Sequence, residues 1–279
     1  MSCSACYSGH DHAGPTTGSE ATMFELDVYI TEPPESSAER SQNVIVLFSD
    51  AFGWSTTNLR RLADSYARRT GCRVYLPDFM YGGALPAWVK SHMDRITGKS
   101  SGIRDYMMKP ILMIQAAYYI IPFFIRNPAH KRYGLAVDFV SRLRAQLPTG
   151  AKIGAAGFCW GAYATTHLAR CDNISNGNLP LIDAAFTAHP SEVKVDDFSG
   201  IKVPYSLIIG DIDFAMKIED VKKVSEILAS DTTLASEVVV LPGARHGFAV
   251  RGNPNDASER EMADQAEDQL VRWFSKHLH

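Results

Sequence analysis

Gly157-Phe-Cys-Trp-Gly161 reads G-x-C-x-G, and it follows Lys152-Ile-Gly-Ala-Ala156, a short run of small and apolar residues. A strand that feeds a glycine-flanked turn and then opens a helix leaves the central side chain standing clear of the backbone, and serine is the usual residue there. Gly157 and Gly161 would allow close backbone approach on either side of Cys159. The helix N-terminus behind the turn carries partial positive charge, which favours thiolate over thiol. A cysteine so placed can be charged before attack, whereas serine needs a base to take its proton. Taken alone, Cys159 reads as a small buried core residue. An acid and a histidine further along the chain shift the balance towards a nucleophile.

Outward from this turn, the hydrophobic pattern alternates. Short apolar runs predict strands over 25–30, 44–48, 73–76, 153–158, 184–188, 205–209 and 237–241. Helical spacing predicts helices over 56–70, 135–147, 162–170, 218–228 and 257–277. Strands alternating with helices indicate an α/β fold with a mostly parallel central sheet covered on both faces. Residues 1–22 read as a tail or docked loop and 23–279 as a single domain. Residues 80–130 break the rhythm and predict a lid or substrate-binding insertion, or a pair of packed core helices. The most apolar run, 111–125, is interrupted by Gln115 and Pro122 and is short for a bilayer span, so a buried helix or pocket cap is expected.

Composition narrows the class. Apolar residues are 46% and charged residues 21% of the 279, as in a soluble protein with a sizeable core, and the net charge of −3 gives no basic footprint for nucleic acid. Five scattered cysteines do not form a disulfide framework, and residues 1–20 lack a basic and apolar leader, so a reducing cytoplasmic setting is expected, with no membrane partner. Cys3, Cys6, His10 and His12 are spaced C-x2-C-x3-H-x-H, unlike a standard zinc finger, and no metal is expected there. The sequence leaves a homodimer open.

Ligands of open α/β sheets sit beyond the carboxyl ends of the strands. Cys159, Asp213 and His246 follow predicted strands in the chain order nucleophile, acid, histidine. Asp213 would orient the imidazole; Asp211, two residues earlier, is the nearby alternative. His189 also ends a strand, as a pocket residue or, ahead of Pro190, as a cap. The backbone N–H groups of Trp160 and Ala51 are the natural oxyanion pair. Asp50 is then either a neighbour of Cys159 or a turn aspartate. Phe52, Trp54, Tyr81, Trp88 and Phe248 are the expected pocket residues.

With Gly157-Phe-Cys-Trp-Gly-Ala162, Gly210-Asp-Ile-Asp213, His246-Gly-Phe-Ala-Val-Arg-Gly252 and Asp50-Ala-Phe-Gly53 together, the chain resembles the dienelactone hydrolase family of α/β hydrolases, over roughly 25–278. Its tail and Val74-Tyr-Leu-Pro-Asp-Phe79 look like a fungal branch. The resemblance implies an α/β-hydrolase fold with a helical insertion over the site, no cofactor, and a Cys159–His246–Asp213 triad attacking an ester or lactone carbonyl. The family glutamate beside the nucleophile is matched by the shorter Asp50, and Arg251 falls one position late against the family arginine. The long insertion departs from the smaller bacterial pattern and suggests a larger or more apolar substrate, with polyketide-derived lactones or thioester release among the family's fungal roles. A cyclase or chain-release enzyme, or a binding protein without activity, are the rival readings.

Overall fold

The computed structural model describes residues 14–34, 41–97, 102–171 and 180–279. Cys3, Cys6, His10 and His12 lie outside the described residues. Eight strands form one sheet: β1 (Ser19–Met23), β2 (Leu26–Thr31), β3 (Val44–Phe48), β4 (Arg73–Pro77), β5 (Ile153–Phe158), β6 (Ala184–Ala188), β7 (Tyr205–Gly210) and β8 (Ser236–Leu241). Their order is β1-β2-β4-β3-β5-β6-β7-β8; β2 runs antiparallel to both its neighbours and the rest are parallel. The expected parallel sheet is present. The expected tail is partly sheet, because Ser19–Met23 pairs with β2 as an edge strand; its residues are mostly exposed and carry no apolar alternation.

The helices are α1 (Thr57–Thr70), α2 (Trp88–Thr97), α3 (Ile103–Arg126), α4 (Ala129–Gln146), α5 (Ala162–Ala169), α6 (Ile218–Ser230), α7 (Phe248–Arg251) and α8 (Ala257–His277). β3 shows how they are divided. Val44, Val46 and Phe48 point into a core shared with α4, α5 and α6, while Ile45 and Leu47 face α1 and α8. That two-sided burial explains why β3 is apolar throughout. α1 buries Leu59, Ala63 and Tyr66 on one side and stops at Gly71, whose φ of 70° and N–H to the Ala67 carbonyl close the last turn.

Of the readings open for the insertion, a buried helix is not what forms. α3 is 24 residues long, continues through Pro110 and Pro122, and is not a buried helix. Only the stripe Leu112, Ala116, Ile120 and Phe123 enters the core; Ile114 and Tyr118 are each 72% exposed and Ile125 70%. Tyr106–Arg126 is long and apolar enough to cross a membrane by length and composition alone.

Candidate active site

Register brings the site together. Phe48 on β3 pairs with Gly157 on β5, so the loop Ser49-Asp50-Ala51 leaves the sheet beside Phe158-Cys159. On the other side Phe158 pairs with Ala188, which sets His189 next to the same turn. Gly210 pairs with Leu241, so the loops holding Asp213 and His246 leave together. Segments far apart in sequence thus meet beyond the carboxyl ends of the strands.

The turn at Cys159 is tight. Its φ is 50°, unusual for a residue with a side chain, and such strain concentrates at functional sites. A Cβ on Gly157 would stand 2.5 Å from the Thr165 hydroxyl, and one on Gly161 would run into the Phe48 carbonyl. Both glycines are therefore required by sterics.

His246 Nδ1 lies 2.9 Å from each oxygen of Asp213, whose Oδ1 also accepts from the Ala215 N–H. Nε2 is buried and makes no well-aligned hydrogen bond, yet it is close enough to Cys159 for each group to shift the other's titration. Burial pushes the Cys159 thiol up, but the charges of His246 and Arg251 outweigh it and hold the thiol below its ordinary value, against the opposing Asp50. Burial pushes His246 down, and the neighbouring sulfur together with Asp213 more than compensates, raising it. Thiolate and imidazolium therefore favour each other. Cys159, His246 and Asp213 are only 5%, 4% and 6% exposed, so the three are closed away from bulk water.

Asp50 is a site neighbour as well as a turn residue. One carboxylate oxygen accepts the Phe52 N–H at 3.0 Å, and the other accepts from the buried Arg251 guanidinium. Arg251 also lies over the Phe52 ring, 5.1 Å from its centroid, with Lys90 5.3 Å from the same centroid. A Cβ on Gly247 would collide with Arg251, so the glycine beside His246 makes room for the cation.

Asp211 accepts from the Gly243 N–H at an exposed turn and is the residue not used. His189 does not cap anything: neither ring nitrogen has a partner, and the ring packs 5.0 Å from His246 and 5.7 Å from Phe248. Burial holds it well below the ordinary histidine range, so it stays neutral beside the more basic His246. Ala51 and Trp160 are both buried at the turn; the Ala51 carbonyl accepts from Leu85 and the Trp160 indole donates to the Asn127 carbonyl.

The expected pocket residues separate. Phe52 and Phe248 lie at the site. Trp54 lines, with Phe52, Leu85 and Pro86, a cleft of about 340 Å³. Tyr81 is 55% exposed under Arg132, and Trp88 is on an outer groove with Tyr118 and Tyr119. Aromatic content marks the insertion but not which way its rings face. Two neighbours were missed. Ser191 Oγ is 3.5 Å from the Cys159 sulfur, and its N–H donates to the Cys159 carbonyl. Phe214 lies 4.7 Å from the His246 ring. Each follows a singled-out residue by one or two positions, which was the available signal. Among the described residues no cluster of His, Cys, Asp and Glu is arranged to hold a metal ion.

The model of the dienelactone hydrolase family matches residues 26–278. The chain is 27% identical to the hydrolase tropI of Talaromyces stipitatus, covering 99% of this chain and 96% of that one. It is 22% identical to a mouse carboxymethylenebutenolidase homologue over 98% of this chain and 96% of that protein. Among solved structures, a Klebsiella pneumoniae protein assigned as a dienelactone hydrolase superposes with a TM-score of 0.61 at 19% identity, covering 95% of this chain and all of the other. The Anabaena variabilis dienelactone hydrolase gives 0.57 at 13%, covering 96% and 100%. These likenesses carry the α/β-hydrolase fold. With nearly its whole length matched by the family model, the chain belongs to the dienelactone hydrolase family and is a carboxylic-ester or lactone hydrolase.

Proposed function

We propose that Cys159 is the nucleophile of a Cys159–His246–Asp213 triad that opens an ester or lactone through an acyl-enzyme. The observation that carries this is the two-oxygen hold of Asp213 on His246 Nδ1, which leaves Nε2 for the sulfur. Thiolate attack on the carbonyl carbon gives a tetrahedral oxyanion, which the N–H groups of Ala51 and Trp160 would receive. Collapse breaks the C–O bond, and His246 gives its Nε2 proton to the leaving alkoxide. In the second half, His246 takes a proton from water, hydroxide oxygen adds to the thioester carbon, and the thiolate departs. Asp213 offsets the imidazolium charge throughout.

The substrate class suggested by the family is a polyketide-derived or aromatic-derived lactone or ester. Cys159→Ala should lower turnover of an activated aryl ester by about a thousandfold or more, with an unchanged circular dichroism spectrum. Wild-type rates in the purified variant would refute the nucleophile.

The burial of all three groups favours a second reading, acyl transfer within the substrate to give cyclisation or chain release, since water must reach a closed site to hydrolyse the thioester. Turnover in oxygen-18 water separates the two: labelled carboxylate supports hydrolysis, and unlabelled product supports transfer.

A further inference from the structure

α3 is apolar on faces that the fold does not cover. Between Lys109 and Arg126 it carries no charged residue, and Gln115 is its one amide. Its inward stripe holds it against the core, while Ile114, Tyr118, Ile121 and Ile125 are 58–72% exposed, next to Trp88 and Tyr119. A soluble monomer rarely leaves so many large apolar side chains contiguous in water. At 24 residues the helix is about 36 Å long, far wider than a small-molecule site.

Charge identifies the occupant. Residues 80–130 contain six Lys and Arg, of which Lys90 is buried at the site, against two Asp, so the totals of 28 and 31 leave 22 basic and 29 acidic residues elsewhere. The insertion is thus strongly basic on an acidic body. Two copies meeting face to face through α3 would bring two such basic segments together, which is repulsive. An anionic lipid surface complements both the cations and the apolar face, and exposed tyrosine and tryptophan suit the interfacial zone. We propose that α3 docks this protein on anionic membranes, lying in the plane of the interface with its inner stripe still packed on the domain. Asn127, which ends α3, accepts from the Trp160 indole, so a docked α3 sets the turn at Cys159 close to the lipid.

Co-sedimentation of the full chain with vesicles of phosphatidylcholine, with and without phosphatidylglycerol, tests this. Binding is expected to the anionic vesicles, at least tenfold weaker to the neutral ones, and to fall with added salt. Ile114→Glu/Tyr118→Glu/Ile125→Glu should abolish it with an unchanged melting curve. Arg104→Gln and Arg126→Gln should each weaken it about fivefold. Cys159→Ala should bind like wild type, so docking is judged independently of the chemistry at Cys159. Failure to sediment with anionic vesicles overturns the proposal. So does equal binding to neutral ones, or a folded triple variant that still binds. A dimer that the triple variant splits, with no vesicle binding, would assign the face to a second copy instead.

Discussion

Arg251 and Asp50 act on the Cys159 thiol in opposite directions from buried positions, and the difference between them can be measured. The acid limb of kcat/KM follows formation of the thiolate. Arg251→Gln removes a charge that lowers the thiol, so that limb should move to higher pH. Asp50→Asn removes one that raises it, so the limb should move to lower pH. Each change also breaks a buried ion pair, at about 3–5 kcal/mol, visible as a lower melting temperature. Opposite shifts in the two pH profiles support the electrostatic account; no shift in either would remove Asp50 and Arg251 from it. On the alkaline side, activity should fall as His246, raised to about 9, loses its proton. At this scale the convergence of Cys159, Asp213 and His246 was legible from their places in the loops behind β5, β7 and β8. It was not legible for His189, because spacing cannot show that a ring is packed on another ring with its nitrogens unpartnered.

Among the elements, the turn between β5 and α5 is set by sterics. A methyl on Gly161 would meet backbone carbonyl, which cannot step aside, so Gly161→Ala should cost about 3 kcal/mol or more and displace the Cys159 sulfur. Chemical denaturation and aryl-ester turnover read the two effects; a variant with native stability and rate would contradict the close approach. The strand ends that carry the site were legible because buried parallel strands are continuous apolar runs with turn residues behind them. β1 was not, because an exposed edge strand such as Ser19–Met23 has no hydrophobic period and takes its structure from pairing with β2. The exposed face of α3 is illegible for a related reason: hydropathy says that a segment avoids water, and only tertiary packing says which of its faces are covered. Amides of α3 should accordingly exchange with deuterium well ahead of those of β5, buried at every residue. Equal protection would mean that α3 is covered in solution.

Across the whole molecule, the carboxyl end of the sheet collects the loops after β3, β5, β6, β7 and β8, while the insertion meets the same region through Leu85, Lys90 and Asn127 and turns its remaining apolar surface outward. The α/β class was readable from alternation alone, and the site order from the positions of three side chains. Charge separation between insertion and body needed the fold before it meant anything, since the net charge hides it. The proposed chemistry turns above all on a covalent bond to one sulfur. Mixing the protein with a slowly deacylating aryl ester, quenching in acid and mapping by mass spectrometry tests this directly. One acyl group is expected on the peptide containing Cys159, and none in Cys159→Ala. Turnover with no adduct there, retained in Cys159→Ala, would contradict it.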